Sequence, residues 1–154
     1  MIPPVLILCG GEGKRLLPHT DNIPKPLVEV NGRPILSYII ERVKLYDPSK
    51  IIIATGYMAS KISSYISNSY ADYDITLSYA EDVDIIERVK LAANSIEEDA
   101  IILYGDTISD IDLDELYSFS NAHRQIATIS VWPMRSQFGV VEIEANDNVI
   151  SFIE

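Results

Sequence analysis

The chain has 154 residues, 47% of them hydrophobic, with 23 acidic against 12 basic side chains for a net charge of −11. That length suits one domain able to bury roughly 70% of the surface its unfolded chain exposes, and the apolar content excludes a disordered or fibrous protein. The lone cysteine, Cys9, excludes an internal disulfide and a thiolate metal cage, no apolar run nears the roughly 18 residues of a membrane span, and Met1-Ile2-Pro3-Pro4 lacks the basic start of a secretory leader, so the expected location is the cytoplasm.

Val5–Cys9 is a continuous apolar run closed by Gly10-Gly11, the pattern of a strand buried on both faces. A long loop follows, punctuated by Gly13, Pro18, Pro24 and Pro26; Leu27–Val30 then reads as a short strand closed by the turn Asn31-Gly32. Pro34 marks the first position of a helix to about Tyr46, with Ile35, Leu36, Ile39, Ile40 and Val43 at helical spacing. Strands are predicted over Lys50–Thr55, Ile75–Tyr79 and Ala100–Tyr104, and helices over Met58–Tyr70, Ile85–Ile96 and from a cap near Asp112 to about His123. Ile126–Trp132, Val140–Glu144 and Val149–Ile153 read as further strands, the last two joined by a turn at Asn146-Asp147-Asn148. Four strand–helix alternations predict an α/β fold, a Rossmann-like three-layer αβα sandwich whose mostly parallel mixed sheet carries antiparallel edge strands. No linker divides it, so a single domain is expected. Glu154 closes an apparent strand with no terminal helix, so the chain reads as cut short.

Charge is unevenly placed. Lys14, Arg15, Lys25 and Arg33 stand against Asp21 and Glu29 in the first loop, whereas residues 70–154 hold 18 acids and four bases. The acidic body repels nucleic acid and anionic membrane and excludes both as partners, while the basic loop suits a compact anion such as a phosphate ester. In open parallel sheets ligands bind beyond the carboxyl ends of the strands, where two unusual loops fall: Gly10-Gly11-Glu12-Gly13-Lys14-Arg15 and Gly105-Asp106-Thr107. The first is neither a Walker A loop nor a dinucleotide fingerprint, because no Gly-Lys-Ser/Thr follows and Leu16 stands where the third glycine belongs. Taken singly, the glycines suit a structural turn, Pro24-Lys25-Pro26 a rigid surface loop, and Asp106 a helix cap. His19 and His123 have no partners at metal or triad spacing, Cys9 suits a core position, and Asp110, Asp112, Asp114 and Glu115 suit a solvated helix start.

Joint order makes the signal specific. Leu8-Cys9-Gly10-Gly11-Glu12-Gly13-Lys14-Arg15-Leu16, then Pro18-His19-Thr20, then Pro24-Lys25-Pro26-Leu27, with Leu103-Tyr104-Gly105-Asp106 downstream, resembles the signature of the sugar-1-phosphate nucleotidyltransferases (NDP-sugar pyrophosphorylases). Phe138-Gly139-Val140-Val141 and Ile150-Ser151-Phe152-Ile153-Glu154 resemble that family's sugar-binding strands, so the resemblance covers nearly the whole chain. It implies an N-terminal catalytic core that joins a nucleoside triphosphate and a sugar 1-phosphate into an NDP-sugar and pyrophosphate. Gly10, Gly11, Gly13 and Lys14 would then bind the triphosphate, with Glu81 in the segment facing the base. Arg15 would clamp the phosphates, Lys25 would neutralise the α-phosphate, Asp106 would hold Mg²⁺, and Gly139 and Glu154 would meet the hexose hydroxyls. Cores of this kind often pair through edge strands, so a homo-oligomer is compatible with the resemblance.

The sequence departs from the family at three places. Lys14 replaces the usual Thr. Glu81-Asp82-Val83-Asp84-Ile85-Ile86-Glu87 lacks the family's Gly-Thr or Gly-Leu, which implies a different or narrower base pocket; a pyrimidine triphosphate is the expected nucleotide. The family's second metal-binding Asp lies beyond residue 154, so Asp106 by itself is expected to hold a cation weakly. The alternative reading is a catalytically silent regulatory or scaffold paralogue that binds nucleotide or sugar phosphate without transfer.

Overall fold

The computed structural model describes residues 2–81, 83–97, 99–133 and 138–153. They fall into two compact units, Met1–Arg124 and Gln125–Glu154. In chain order the elements are strand β1 (Val5–Cys9), strands β2 (Glu29–Val30) and β3 (Arg33–Pro34), helix α1 (Ile35–Lys44), β4 (Ile51–Thr55), α2 (Ala59–Ser69), β5 (Ile75–Tyr79), α3 (Ile85–Ala93), β6 (Ile101–Tyr104), α4 (Leu113–His123), β7 (Val140–Ile143) and β8 (Val149–Ile153). Single 3-10 turns at Lys14–Leu16 and Lys25–Leu27 interrupt the first loop.

The first unit is built on one four-stranded, all-parallel sheet in the order β5-β4-β1-β6. Central strands β1 and β4 are buried on both faces, as their unbroken apolar runs require. Alternation then sorts their side chains. Val5, Ile7, Cys9, Ile51 and Ile53 join Leu36, Ile40 and Val43 of α1, Ile62 and Ile66 of α2 and Leu113 of α4 in the larger core. Leu6, Ile52 and Ala54 point the other way and meet Ala92 and Val89 of α3. Helices therefore cover both faces, and the α/β expectation stands. The antiparallel pairs, β2–β3 and β7–β8, form separate two-stranded ladders and do not extend the edge of the main sheet.

Three local readings are corrected. Residues expected to extend as a strand from Leu27 begin in a 3-10 turn, because Pro24 and Pro26 hold the backbone near φ −65°, and only Glu29–Val30 pairs. Pro34 caps α1 from outside with ψ 140°, so the helix starts one residue later. Ile126–Trp132 is not a strand: among the described residues no ladder partner pairs with it, and Ile126, Ile129, Val131 and Trp132 are all strongly exposed. β-branched propensity favours extension but cannot supply the partner that makes a strand.

The order of the strands positions the site. The chain runs outward from β1 through β4 to β5, then returns to the other side of β1 as β6. The reversal falls between β1 and β6, and in sheets of this kind the crevice outside the carboxyl ends at such a point is where ligands bind. Gly10 leaves one of those ends and Gly105-Asp106 the other.

Candidate active site

A cavity of about 300 Å³ opens at this reversal, lined by Gly10, Gly11, Gly13, Lys14, Arg15, Leu16, Lys25, Pro26, Asp106 and neighbours on β1, α3 and β6. The two strand ends are held close. Gly105 N–H donates to the Leu8 carbonyl at 2.9 Å, and a Cβ on Gly105 would sit 2.4 Å from the Cys9 sulfur and 2.8 Å from that carbonyl oxygen. Only glycine permits this approach, and it brings Asp106 to the cavity wall.

The glycine loop is shaped by one left-handed residue. Gly13 has φ +70° and caps the turn Lys14–Leu16. Thr20, buried from solvent, donates its hydroxyl to the Gly13 carbonyl at 3.0 Å and so ties the Pro18-His19-Thr20 stretch back onto the loop. Beyond it Pro24 is buried and extended, and Lys25 begins the turn that follows. The Lys25 ammonium donates to an Asp106 carboxylate oxygen, joining residues 81 positions apart; both side chains stay about 30% exposed to the cavity. Thr107 Oγ1 lies 3.2 Å from the other Asp106 oxygen.

The remaining bases separate by partner. Lys14 pairs with Glu12 at 2.7 Å on the exposed loop. Arg15 is exposed on the cavity rim and makes no ion pair or side-chain hydrogen bond within the described residues. Arg33, the fourth base of the sequence cluster, turns away to Glu41 on α1 and lies over the Tyr38 ring. Cys9 also lines the cavity, but burial first and the Asp106 charge second push its thiol far above the ordinary range, so it is no nucleophile there.

The opposite wall is the segment before α3. Ile85 lines the cavity, Ile86 points into solvent, and Asp84 caps α3 by accepting from Glu87 N–H at 2.9 Å. The Glu81 side chain is exposed and does not line the cavity; its backbone carbonyl is what the structure uses. That carbonyl accepts from Arg88, a residue the sequence reading passed over as one base among many acids. Arg88 is only 7% exposed and donates through Nε to the Thr55 carbonyl and through Nη2 to the Glu81 carbonyl, each at 3.2 Å. Its guanidinium fills the space a Cβ on Gly10 or Gly56 would need: 2.1 Å from Nε at the first, 2.5 Å from Nη2 at the second. Gly10 therefore serves an arginine as well as its own turn. The only sequence signal was spacing, since Arg88 falls on the same face of α3 as Ala92, one turn on.

Gly139 lies in the second unit, where a Cβ would meet the Phe152 ring at 2.5 Å. Glu154 lies outside the described residues. Among the described residues no group of three or more His, Cys, Asp or Glu side chains converges as a metal cage, and no helix is long and apolar enough to cross a membrane.

Comparison with known proteins bears on this arrangement. Residues 4–154 match the nucleotidyl transferase family. The chain is 33% identical over 150 residues to the bifunctional protein GlmU of Methanococcus maripaludis, which covers 97% of this chain and 34% of that protein. It is 31% identical to the D-glycero-alpha-D-manno-heptose 1-phosphate guanylyltransferase of Campylobacter jejuni and 30% identical to the glucose-1-phosphate cytidylyltransferase of Salmonella typhi, covering 97% of this chain and 67% of each relative. Among solved structures, HddC of Yersinia pseudotuberculosis complexed with GMP-PN superposes with a TM-score of 0.66 at 23% identity, over 98% of this chain and 68% of that one. The chain thus spans about a third of the GlmU relatives and about two thirds of the others.

Proposed function

The chain belongs to the nucleotidyl transferase family, and from that premise we propose that it is the catalytic core of an enzyme joining a nucleoside triphosphate to a sugar 1-phosphate, with release of pyrophosphate. The observation that carries the reading is the meeting of Lys25 and Asp106 at the sheet's reversal, beside a glycine loop and an exposed Arg15 on the cavity rim. The relatives' names support the same chemistry: one is a guanylyltransferase acting on a heptose 1-phosphate, another a cytidylyltransferase acting on glucose 1-phosphate.

In the proposed reaction an oxygen of the sugar phosphate forms a bond to the α-phosphorus. The bond to the β-phosphate oxygen breaks, and the electron pair leaves with pyrophosphate. Negative charge gathers on the non-bridging oxygens, so catalysis is positioning and electrostatic stabilisation. The N–H groups of Gly10, Gly11 and Gly13, with Lys14, would face the triphosphate. Arg15, planar and always charged, would hold the departing pyrophosphate. Lys25, stiffened between two prolines, would move its charge from Asp106 to the α-phosphate. Asp106 offers a single carboxylate, which fits Mg²⁺ because that ion binds through one or two carboxylates plus substrate phosphates. When bound, the ion would neutralise phosphate charge. In the resting site Lys25 occupies that carboxylate, and turning Lys25 to the phosphate would leave Asp106 free to hold the ion.

Glu81 is proposed to shape the base pocket through its backbone, and Gly139 and Glu154 to meet the sugar. The proposed setting is a single nucleotidyltransferase domain in the cytoplasm.

The test is pyrophosphate release from each common nucleoside triphosphate with Mg²⁺ and a sugar 1-phosphate. Lys25→Ala is expected to lower kcat by about 10²–10³, the usual cost of one preorganised charge donor, and Asp106→Asn to lower it similarly. Unchanged turnover in both variants would remove these roles. Triphosphate binding without release by the wild type would select the silent-paralogue reading instead.

A further inference from the structure

Among the described residues Arg88 is the one charged side chain that is buried. It is only 7% exposed, and no carboxylate among the described residues pairs with it. Its two acceptors are backbone carbonyls that already have donors: Ala80 N–H reaches the Thr55 oxygen at 3.3 Å and Val83 N–H reaches the Glu81 oxygen at 2.8 Å. The carbonyls do not need the arginine. Burying a guanidinium with no counter-charge is costly, and such groups persist where a partner anion is supplied. Two glycines at the ends of β1 and β4 keep room for this one.

Its place indicates which anion. Arg88 lines the 300 Å³ cavity and also an adjoining one of about 320 Å³, bounded by Gly10, Gly11, Glu12, Gly13, Lys14 and Val83. It therefore stands at the seam between them, behind the glycine loop that carries Lys14 and Arg15. We propose that Arg88 is an anion-binding residue of the nucleotide site, taking as its counter-ion a phosphate oxygen of the bound triphosphate. This rests on the nucleotide reading given above and adds a second function. A guanidinium already bonded to the carbonyls of Thr55 and Glu81 ties the phosphate chain to the segment leading into α3. Binding of the triphosphate thereby sets the wall against which the base lies.

The experiment is calorimetric titration of the 154-residue chain with inorganic tripolyphosphate and, separately, glucose 1-phosphate, paired with thermal unfolding of the unliganded protein. Wild type, Arg88→Met, Arg88→Lys and Arg15→Ala are compared. Arg88→Met is expected to weaken tripolyphosphate by about tenfold or more, the value of a hydrogen bond to a charged group. Its unliganded midpoint should not fall, because both carbonyls keep their amide donors and a desolvated charge is gone. Arg88→Lys, which keeps charge and length but loses the planar fork, should fall between the two in affinity. If Arg88→Met does not fold, Arg88→Lys carries the test through its affinity. Glucose 1-phosphate affinity should change little in any Arg88 variant; a larger effect there than on tripolyphosphate would overturn the assignment to the triphosphate. Wild-type tripolyphosphate affinity in the Arg88 variants, with weakening in Arg15→Ala, would leave the nucleotide site standing and reduce Arg88 to a strut. Absence of tripolyphosphate binding by the wild type would overturn both readings.

Discussion

The two walls of the cavity are built by opposite means. On the loop side, Lys14, Arg15 and Lys25 are at least partly exposed, and two of them pair with carboxylates that are themselves accessible, Glu12 and Asp106. Such pairs are weak in water and exchange easily, which suits groups that must turn to an incoming phosphate. On the α3 side a single arginine is buried, bonded to two carbonyls and boxed in by two glycines. One wall offers movable charge, the other a fixed one. For the proposed nucleotide site the two are complementary, one wall to admit a polyphosphate and the other to hold it in one register.

Gly56→Ala should break the contrast most severely. Its Cβ would press 2.8 Å from the Gly10 carbonyl oxygen as well as on Arg88, and backbone cannot step aside as a side chain can. A loss of about 2–3 kcal/mol is expected in denaturant unfolding, at the upper end for an overpacked interior; a loss below 1 kcal/mol would show that the two strand ends can part. Gly10→Ala is the sharper partner experiment, because the three atoms nearest its Cβ all belong to the Arg88 side chain. That chain can swing out, so stability should drop by only about 1 kcal/mol, while tripolyphosphate affinity should fall as far as in Arg88→Met. Equal stability losses in the two alanine variants would erase the distinction.

A smaller effect concerns the start of α3. Asp84→Ala removes the carboxylate that accepts from Glu87 N–H and should lower stability by about 1 kcal/mol. The expected signature is that Asp84→Asn restores most of this, since an amide oxygen caps almost as well. Failure of that rescue would mean that the charge of Asp84, and not its cap, supports the wall.

The smallest effect is on pH. Burial holds the Cys9 thiol and, by burial with help from Tyr65, the Tyr70 phenol above their ordinary ranges. The folded chain therefore keeps protons that the unfolded chain releases from about pH 8.5 and about pH 10. Stability from this source is whole below the lower of these values and declines as pH climbs above it. Urea midpoints followed from pH 7.5 to 10 should fall more steeply for the wild type than for Cys9→Ala; parallel curves would show that the thiol titrates normally in the fold.

Much of this molecule is legible in its sequence. The central strands announced themselves as apolar runs too long to alternate, and β5, β8 and α4 with its Asp112 cap appear where periodicity placed them. The loop wall was legible as well, because it is local: its glycines, its three basic residues and its prolines lie within 17 positions, from Gly10 to Pro26. Ile126–Trp132 shows the limit from the other side, since extended propensity is local but a strand needs a partner. Arg88 shows it for function. In the sequence it is one base in an acidic half. Only the parallel sheet, by setting the ends of β1 and β4 side by side, brings Gly10, Gly56 and Arg88 together across 78 positions and removes water from a charge. Composition and spacing determined which basic residues gather at the loop. The tertiary structure alone decided which cation would be desolvated, because desolvation belongs to the packing of distant segments and leaves no mark on either by itself.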